Sequence, residues 1–207
     1  MENRELSELE RWEGRYAAND TPWDSGEPSR ELQRILAEEW FGLGRVLELG
    51  CGTGTNAVFL ATLGFEVTAT DLSPLAVERA REKAEREGVS VRFETADALS
   101  LPDLGGPFPF VFDRGLYHVV RRVDLAGFLT TLERVVAPGG HYLTLAGNAN
   151  DPEPADGGPP RVHAHDLCSE LSPLFDLVQL REFRFDGVIT NGRALTPLAW
   201  SGLFRRR

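Results

Sequence analysis

The chain has 207 residues, 42% hydrophobic and 26% charged, enough for one domain with a sizeable core. Its formal net charge of −10 argues against a nucleic-acid partner, because phosphate binding needs a clustered positive field and the one basic cluster, residues 205–207, is terminal. The two isolated cysteines, the acidic N-terminus and the absence of any run approaching ~20 apolar residues predict a cytoplasmic protein without a membrane partner.

Residues 1–40 are expected to form a lid and substrate-side helices. Helical character over residues 5–18 precedes a turn-rich loop, residues 19–28, with Trp23 in its middle. Ser29 can cap a helix that runs to about Trp40 with one apolar face. Residues 41–207 then form the main part of what we expect to be one compact domain, present as a monomer or homodimer.

Strands and helices alternate over the middle of the chain. This order predicts an α/β fold of the Rossmann-like, doubly wound type, with a mostly parallel seven-stranded sheet. The predicted strands are 45–49, 66–70, 90–94, 110–113 and 141–146, and the predicted helices are 55–63, 74–87 and 125–136.

The last third of the chain has a different pattern. A long loop, residues 147–160, is followed by a short helix at 164–174. Residues 177–186 and 196–204 read as strands, and we expect them to pair as an antiparallel hairpin at the edge of the sheet.

A glycine loop follows the first predicted strand. Gly50, Gly52 and Gly54 come directly after an apolar run, and Asp71 ends the next strand 21 residues after Gly50. Strand, glycine loop, helix, strand and acid is the layout of a nucleotide-binding unit. The third glycine is one place too early for a dinucleotide, with Thr55 in its position, which disfavours a dehydrogenase.

The acids around this loop favour a ligand with positive charge and no phosphate. Glu48 would repel a pyrophosphate, whereas S-adenosylmethionine carries a sulfonium, an ammonium and a ribose. Asp71 is suited to accept from the ribose hydroxyls, and Asp97 from an adenine amino group. Asp71 alone could also be a helix-capping acid, because it precedes Ser73 and Pro74.

The loop resembles motif I of class I S-adenosylmethionine-dependent methyltransferases. Asp71 matches the motif II acid, Asp97 and Ala98 match the adenine-side motif, and residues 136–140 match the turn before strand five. The cofactor-binding residues that this resemblance implies, together with the lid, are Trp12, Trp23, Glu48, Gly50, Cys51, Gly52, Thr55, Asn56, Asp71, Leu72, Asp97, Ala98, Asp113 and Arg114.

Three further segments, residues 21–26, 112–116 and 157–162, resemble the thiopurine and thiol/halide methyltransferase group. The resemblance implies that Trp23 packs on the methionine part of the cofactor. It also implies that Arg114 lies near the acceptor or the cofactor carboxylate, where it could stabilise a thiolate. The alternatives are a buried loop anchor for Trp23 and a surface ion pair with Asp113 or Asp124 for Arg114.

Histidines offer the remaining candidate chemistry. His118, five residues beyond Asp113, is the best candidate for a catalytic base, with a structural histidine as the alternative. It replaces a residue that is usually apolar in the thiopurine branch. His163, His165 and Cys168 form a loose cluster without an evident fourth ligand, so pocket lining or helix capping is favoured and no metal is predicted.

Together these features predict a methyltransferase that acts on a small acceptor, most readily a thiol or similar soft nucleophile, with Arg114 and His118 facing it. The alternatives are an O- or N-methyltransferase on a small metabolite or natural-product intermediate, and a non-catalytic cofactor-binding module.

Overall fold

The computed structural model describes residues 7–38, 42–153, 159–187, 189–190, 193–194 and 196–207. Two helices come first, α1 (Glu8–Ala17) and α2 (Arg30–Ala37). Ser7 and Glu10 cap α1 reciprocally, and the Ser29 hydroxyl caps α2 by accepting from the Leu32 N–H. The predicted outer ends of both helices, at residues 5 and 40, lie outside the described residues.

The main sheet has the predicted architecture. The strands are β1 (Arg45–Leu49), β2 (Glu66–Asp71), β3 (Arg92–Thr95), β4 (Phe108–Arg114), β5 (Val136–Asn148), β6 (Arg161–Val162), β7 (Phe175–Arg184), β8 (Ile189–Thr190), β9 (Arg193–Ala194) and β10 (Leu198–Arg206). The strand order is β3-β2-β1-β4-β5-β10-β7, parallel from β3 to β5, with β10 antiparallel to both of its neighbours. A short eighth strand, β6, pairs with β5, and β8 pairs with β9 in a separate antiparallel sheet.

Helices cover both faces of this sheet. They are α3 (Thr55–Thr62), α4 (Pro74–Arg86), α5 (Tyr117–Val135) and α6 (Ala164–Leu171). Apolar residues of α2, α3 and α4 form one core cluster with one face of the strands, while residues of α5 and α6 form a second cluster with the other face. The doubly wound, seven-stranded fold with an antiparallel hairpin at its edge is therefore confirmed.

Helix α5 begins eight residues before its predicted start at 125. The Asp113 carboxylate accepts from the N–H groups of Leu116 and Tyr117, which supplies the cap that starts the helix. Asp124 has non-helical dihedral angles (φ −155°, ψ 89°), so the segment consists of two helical pieces joined at a kink. The sequence pattern showed only the second piece.

The turn at residues 138–140 does not separate α5 from its strand as expected. Strand β5 begins at Val136, directly after the helix, and its register with β4 shifts between Phe108 and Phe110. Residues 138–140 therefore lie within β5, as an irregularity in its pairing with β4. Helix α6 likewise ends at Leu171, before the predicted end at 174, because β7 starts at Phe175.

This topology determines where a ligand can bind. After β1 the chain adds β2 and β3 on one side and then returns to place β4 on the other side of β1. Such a switch point opens a crevice beyond the carboxyl ends of the two strands. No helix in the described ranges is long and apolar enough to cross a membrane.

Candidate active site

The glycine loop from β1 to α3 lies at this switch point. Its backbone has φ +67° at Gly50, +54° at Gly52 and +77° at Gly54. The Gly52 N–H donates to Asp71 Oδ2 at 2.8 Å, so the end of β2 holds the loop. A Cβ on Gly52 would come within 3.0 Å of the Tyr16 hydroxyl, which shows how closely other groups approach the bare backbone here.

Asp71 accepts hydrogen bonds from two backbone N–H groups, one in the glycine loop and one at the start of α4. It is 8% exposed, and its Oδ1 accepts from the Ser73 N–H at 2.9 Å while Oδ2 accepts from Gly52. Burial raises its pKa, and these backbone hydrogen bonds oppose that shift. Each carboxylate oxygen can accept a second hydrogen bond, so binding to two ribose hydroxyls stays a prediction compatible with the observed capping contacts.

Glu48 has an unsatisfied oxygen. The residue is 1% exposed; Oε1 accepts from Asn56 Nδ2 at 3.4 Å, and Oε2 has no hydrogen-bond partner. Burial raises the pKa of Glu48 to about 8. A buried carboxylate needs a donor or a cation, and an ammonium group would satisfy it. The residues present therefore fit an S-adenosylmethionine amino group.

The other predicted cofactor residues flank the same crevice. Cys51 is buried, which raises the pKa of its thiol. Asp97 follows β3, and its Oδ1 accepts from the Leu99 N–H at 2.9 Å; Ala98 is buried beside it and Leu72 is half-buried after β2. Their contacts to a cofactor stay predictions.

Residues 8–28, the part of the expected lid that we call the lid below, are built around Trp23. The Trp23 ring packs edge-on against Trp12 (5.5 Å between centroids) and Tyr16 (6.1 Å), and the Arg15 guanidinium lies 4.2 Å from its centroid. These contacts bring Trp12 and Trp23, which the sequence predicted to line the cofactor site, together with Tyr16. They also give Trp23 the anchoring contacts of the alternative interpretation.

Polar contacts fasten the lid to the glycine loop and α4. The Glu13 carboxylate accepts from the Ser73 hydroxyl and, at 3.4 Å, from the Leu75 N–H. Asp24 accepts from the hydroxyls of Thr53 (2.6 Å) and Thr55 (3.5 Å). Lys83 Nζ donates to the same two hydroxyls at 2.9 and 2.5 Å. Sequence reasoning missed Glu13, Asp24 and Lys83, since no spacing relates residues so far apart.

We expect Asp24→Ala to loosen the lid. Removing a charged acceptor from two hydroxyls should raise the dissociation rate of S-adenosylhomocysteine about 5- to 30-fold, on the order of 1–2 kcal/mol. Stopped-flow tryptophan fluorescence would measure that rate. Asp20→Ala is the control, because the Asp20 carboxylate accepts from Arg15 within the lid and from no described residue of the glycine loop. Equal rates in the two variants would contradict a lid held by Asp24.

Arg114 joins the lid to the C-terminal hairpin. Its guanidinium donates to the carbonyl oxygens of Trp23 (2.9 Å) and Asp186 (2.8 Å) and lies 4.9 Å from the centroid of Phe185. Among the described residues no carboxylate forms an ion pair with it, so the predicted alternative of a surface ion pair is not seen. Burial lowers the pKa of Arg114, and the charges of Asp186, Asp24 and Glu48 oppose that shift without forming an ion pair with it.

Asp113, which the resemblance placed among the cofactor-binding residues, lies at the start of α5 in the structure. It is fully buried, and besides the two N–H groups at the start of α5 it accepts from the Tyr142 hydroxyl at 2.5 Å. Burial raises its pKa to about 6. These contacts give Asp113 a structural function, and direct cofactor binding by it stays a prediction.

His118 lies near the start of α5 and is 4% exposed. Its Nδ1 accepts from the Gly147 N–H at 2.9 Å. Burial, and then the charge of Arg114, lower its pKa to about 3, so the ring is neutral at ordinary pH. A neutral imidazole that accepts at Nδ1 carries its proton on Nε2.

The cluster of His163, His165 and Cys168 does not form a metal site among the described residues. His163 and His165 are exposed and Cys168 is half-buried at α6. Over the part of the chain that the structure describes, no three His, Cys, Asp or Glu residues are grouped to hold a metal ion.

Similarities to known proteins agree with this geometry. A family model described as a methyltransferase domain matches residues 46–140. A 2-heptyl-1-hydroxyquinolin-4(1H)-one methyltransferase from Mycobacteroides abscessus is 30% identical over 152 residues, covering 73% of this chain and 66% of that protein. A probable thiol methyltransferase 2 from Arabidopsis thaliana is 27% identical over 165 residues, covering 79% of this chain and 72% of that protein.

A solved structure matches almost the whole chain. It comes from work on "Conversion of a Disulfide Bond into a Thioacetal Group during Echinomycin Biosynthesis" and superposes with a TM-score of 0.84 at 31% identity, covering 97% of this chain and 93% of that one. The glycine loop, the unsatisfied Glu48 oxygen and these similarities lead to one conclusion. The chain belongs to the S-adenosylmethionine-dependent methyltransferases and is an enzyme of that family.

Proposed function

We propose that this enzyme methylates a small molecule at a thiol or a similar soft nucleophile. The observation that carries the proposal is Arg114, a partly buried cation without an ion-pair partner among the described residues, at the carboxyl end of β4 beneath Trp23. A buried cation of this kind favours an anion beside it, either the cofactor carboxylate or an ionised acceptor.

The other site residues would bind the cofactor and enclose the reacting groups. S-adenosylmethionine supplies an activated methyl group when it is bound. Glu48 would pair with its ammonium, Asp71 with its ribose and Asp97 with its adenine. The lid, packed around Trp23 and hydrogen-bonded to the glycine loop through Asp24, would exclude water from the reacting groups.

The relatives support sulfur and oxygen acceptors unequally. The plant relative is named as a thiol methyltransferase, and the similar solved structure concerns conversion of a disulfide. The mycobacterial relative is named for a substrate with a hydroxy group, which supports O-methylation as the second candidate function. An N-acceptor has no comparable support among these three.

A panel of acceptors tests the proposal. With methyl-labelled cofactor, we expect kcat/KM for thiols to exceed that for phenols of the same shape at least about tenfold, on the order of 1.4 kcal/mol of activation free energy. The physical reason is that thiols ionise near pH 8.5 and thiolates are strong nucleophiles. Product formation is followed by scintillation counting after extraction.

Halides, amines and alcohols complete the panel. Methylation confined to oxygen or nitrogen acceptors would overturn the thiol assignment, and tight cofactor binding without any turnover would support the non-catalytic module. We further propose a cytoplasmic location and a monomer or homodimer, to be checked by fractionation and by light scattering.

A further inference from the structure

The His118 ring is held in one orientation by the backbone. The Gly147 N–H on β5 donates to Nδ1 at 2.9 Å, and a Cβ on Gly115 would meet Cε1 and Nε2 at 3.6 and 3.7 Å. The Nδ1 lone pair is therefore occupied, and Nε2 lies beside the Arg114–Gly115 turn. In this tautomer Nε2 is a donor and has no lone pair with which to take a proton.

The Nε2–H group is available to a ligand. No described residue accepts a hydrogen bond from Nε2. Among the described side chains, the polar atoms that are both fully enclosed and without a partner are Glu48 Oε2, Thr144 Oγ1 and Ser201 Oγ, and Nε2 is not one of them. The donor therefore has access from outside the packing of the ring. Its neighbour Arg114 presents a positive charge without a paired carboxylate among the described residues.

The carboxylates near this edge are engaged elsewhere. Both oxygens of Asp113 accept hydrogen bonds, and the residue is fully buried. Asp24 accepts from two hydroxyls of the glycine loop, and Asp186 accepts from the Arg30 N–H. Glu48 accepts from Asn56 through Oε1, and its unpartnered Oε2 is the oxygen that the proposed function pairs with the cofactor ammonium. What β4 and α5 offer at this edge is a cation and a neutral donor, which together favour a negative atom.

We propose that His118 acts as a neutral hydrogen-bond donor through Nε2, and that with Arg114 it holds an acceptor that is already ionised, on an acidic S–H or O–H group. This inference rests on the proposed function, since it specifies which small molecules that site accepts. The acceptor has released its proton to solvent before it binds. Its electron pair then forms the bond to the methyl carbon as the bond from carbon to the leaving sulfur breaks, with that pair staying on sulfur, so no protein base is needed.

Two substitutions at position 118 separate the possible roles. In His118→Asn the amide oxygen can replace Nδ1 and keep the Gly147 contact while the Nε2 donor is lost. In His118→Gln the amide nitrogen can replace the Nε2 donor while the Gly147 contact is lost. For a donor, kcat/KM should fall about 10- to 100-fold in His118→Asn, and His118→Gln should recover at least about tenfold of this loss. The reverse ranking would mean a structural role and would overturn the proposal.

The tautomer can be read without turnover. Nitrogen-15 spectra of the wild-type protein should show Nδ1 unprotonated and Nε2 protonated from pH 5 to 9, with no titration of this ring. A ring protonated at Nδ1, or one that titrates near pH 6–7, would overturn the proposal even if both variants fail to fold.

Substituted thiophenols and phenols, with pKa values on both sides of the assay pH, test the acceptor class. The inflection of kcat/KM with pH should follow the pKa of each acceptor. The charged groups nearby are Glu48, Asp113 and Arg114, with Asp24 and Asp186 beside the arginine. Any inflection from Glu48 or Asp113 would stay at one pH whichever acceptor is used. A fixed inflection that disappears in His118→Asn would identify a histidine base and overturn the proposal.

The same series distinguishes this inference from the proposed function. Methylation of acidic phenols and not of thiols would refute the thiol assignment while supporting an ionised acceptor. Equal rates with aliphatic alcohols or amines, which keep their protons or lack an acidic one, would overturn the ionised acceptor. If no compound is methylated, the proposed function fails, and the nitrogen-15 spectra still decide the tautomer.

Discussion

Replacing Glu48 with glutamine is expected to stabilise the cofactor-free protein at pH 8. The Glu48 pKa of about 8 in the folded protein lies above its ordinary value of 4.5. Between these pH values the unfolded chain releases a proton that the folded chain retains, so the unfolding free energy of the wild type falls as pH rises from 4.5 to about 8. Glutamine is neutral throughout and avoids this loss.

We expect the variant to be more stable than the wild type by roughly 1–3 kcal/mol at pH 8 and nearly equal to it at pH 5. Urea unfolding at both pH values would measure the difference. Glu66→Gln is the matched control, because the Glu66 side chain is 79% exposed on the adjoining strand. A variant that is no more stable at pH 8 than at pH 5, relative to the wild type, would contradict a buried, protonated Glu48.

The same substitution should weaken cofactor binding. An ammonium beside Glu48 favours the ionised carboxylate, so wild-type binding of S-adenosylhomocysteine should release a proton and tighten as pH rises from 6 to 8. Glu48→Gln should bind about 10- to 100-fold more weakly at pH 8, with little pH dependence. Calorimetry in buffers of different ionisation enthalpy reports both effects. Equal affinity of the wild type and Glu48→Gln for S-adenosylhomocysteine at pH 8 would show that Glu48 does not bind the ammonium group.

The parts of the site that could be predicted are local in sequence. The run from Glu48 to Gly54 and the acid at Asp71 carry their chemistry within one strand–loop–helix–strand unit, and the structure joins them through the bond from Gly52 to Asp71. The parallel part of the sheet could be predicted because parallel strands need crossover connections, and helical segments separate those strands in the sequence. The edge hairpin could be predicted because no helical segment separates the last two strands.

The parts that could not be predicted depend on tertiary contacts. No pattern in the sequence around Asp24 indicates that it binds Thr53, whose hydroxyl also accepts from Lys83. Likewise, the hydrogen bonds from Arg114 to the carbonyl oxygens of Trp23 and Asp186 form only in the folded chain. One missed feature did have a local signal. Asp113 precedes Leu116 and Tyr117 at the spacing from which an acid can accept hydrogen bonds from the N–H groups at a helix start.

Substitution of Gly54 by alanine should damage the fold more than any other single methyl group added to the glycine loop. A Cβ there would lie 2.7 Å from the Ala80 Cβ on α4 and 3.1 Å from Phe93 on β3, at φ +77°. Left-handed strain of ~1–2 kcal/mol and overpacking of ~1–3 kcal/mol should together lower the unfolding free energy by roughly 2–5 kcal/mol. Thermal unfolding should show a midpoint lower by about 5–15 °C.

Gly139→Ala separates the two contributions. Gly139 has φ +74° and no atom within 4 Å of an added Cβ, so only the strain of ~1–2 kcal/mol applies. Adding Ala80→Gly to Gly54→Ala removes the opposing methyl group and should restore part of the loss, less about 1 kcal/mol for a glycine inside α4. Equal losses in Gly54→Ala and Gly139→Ala would contradict the packing account. The expected difference would mean that Gly54 is required for the start of α3 to lie against Ala80 on α4.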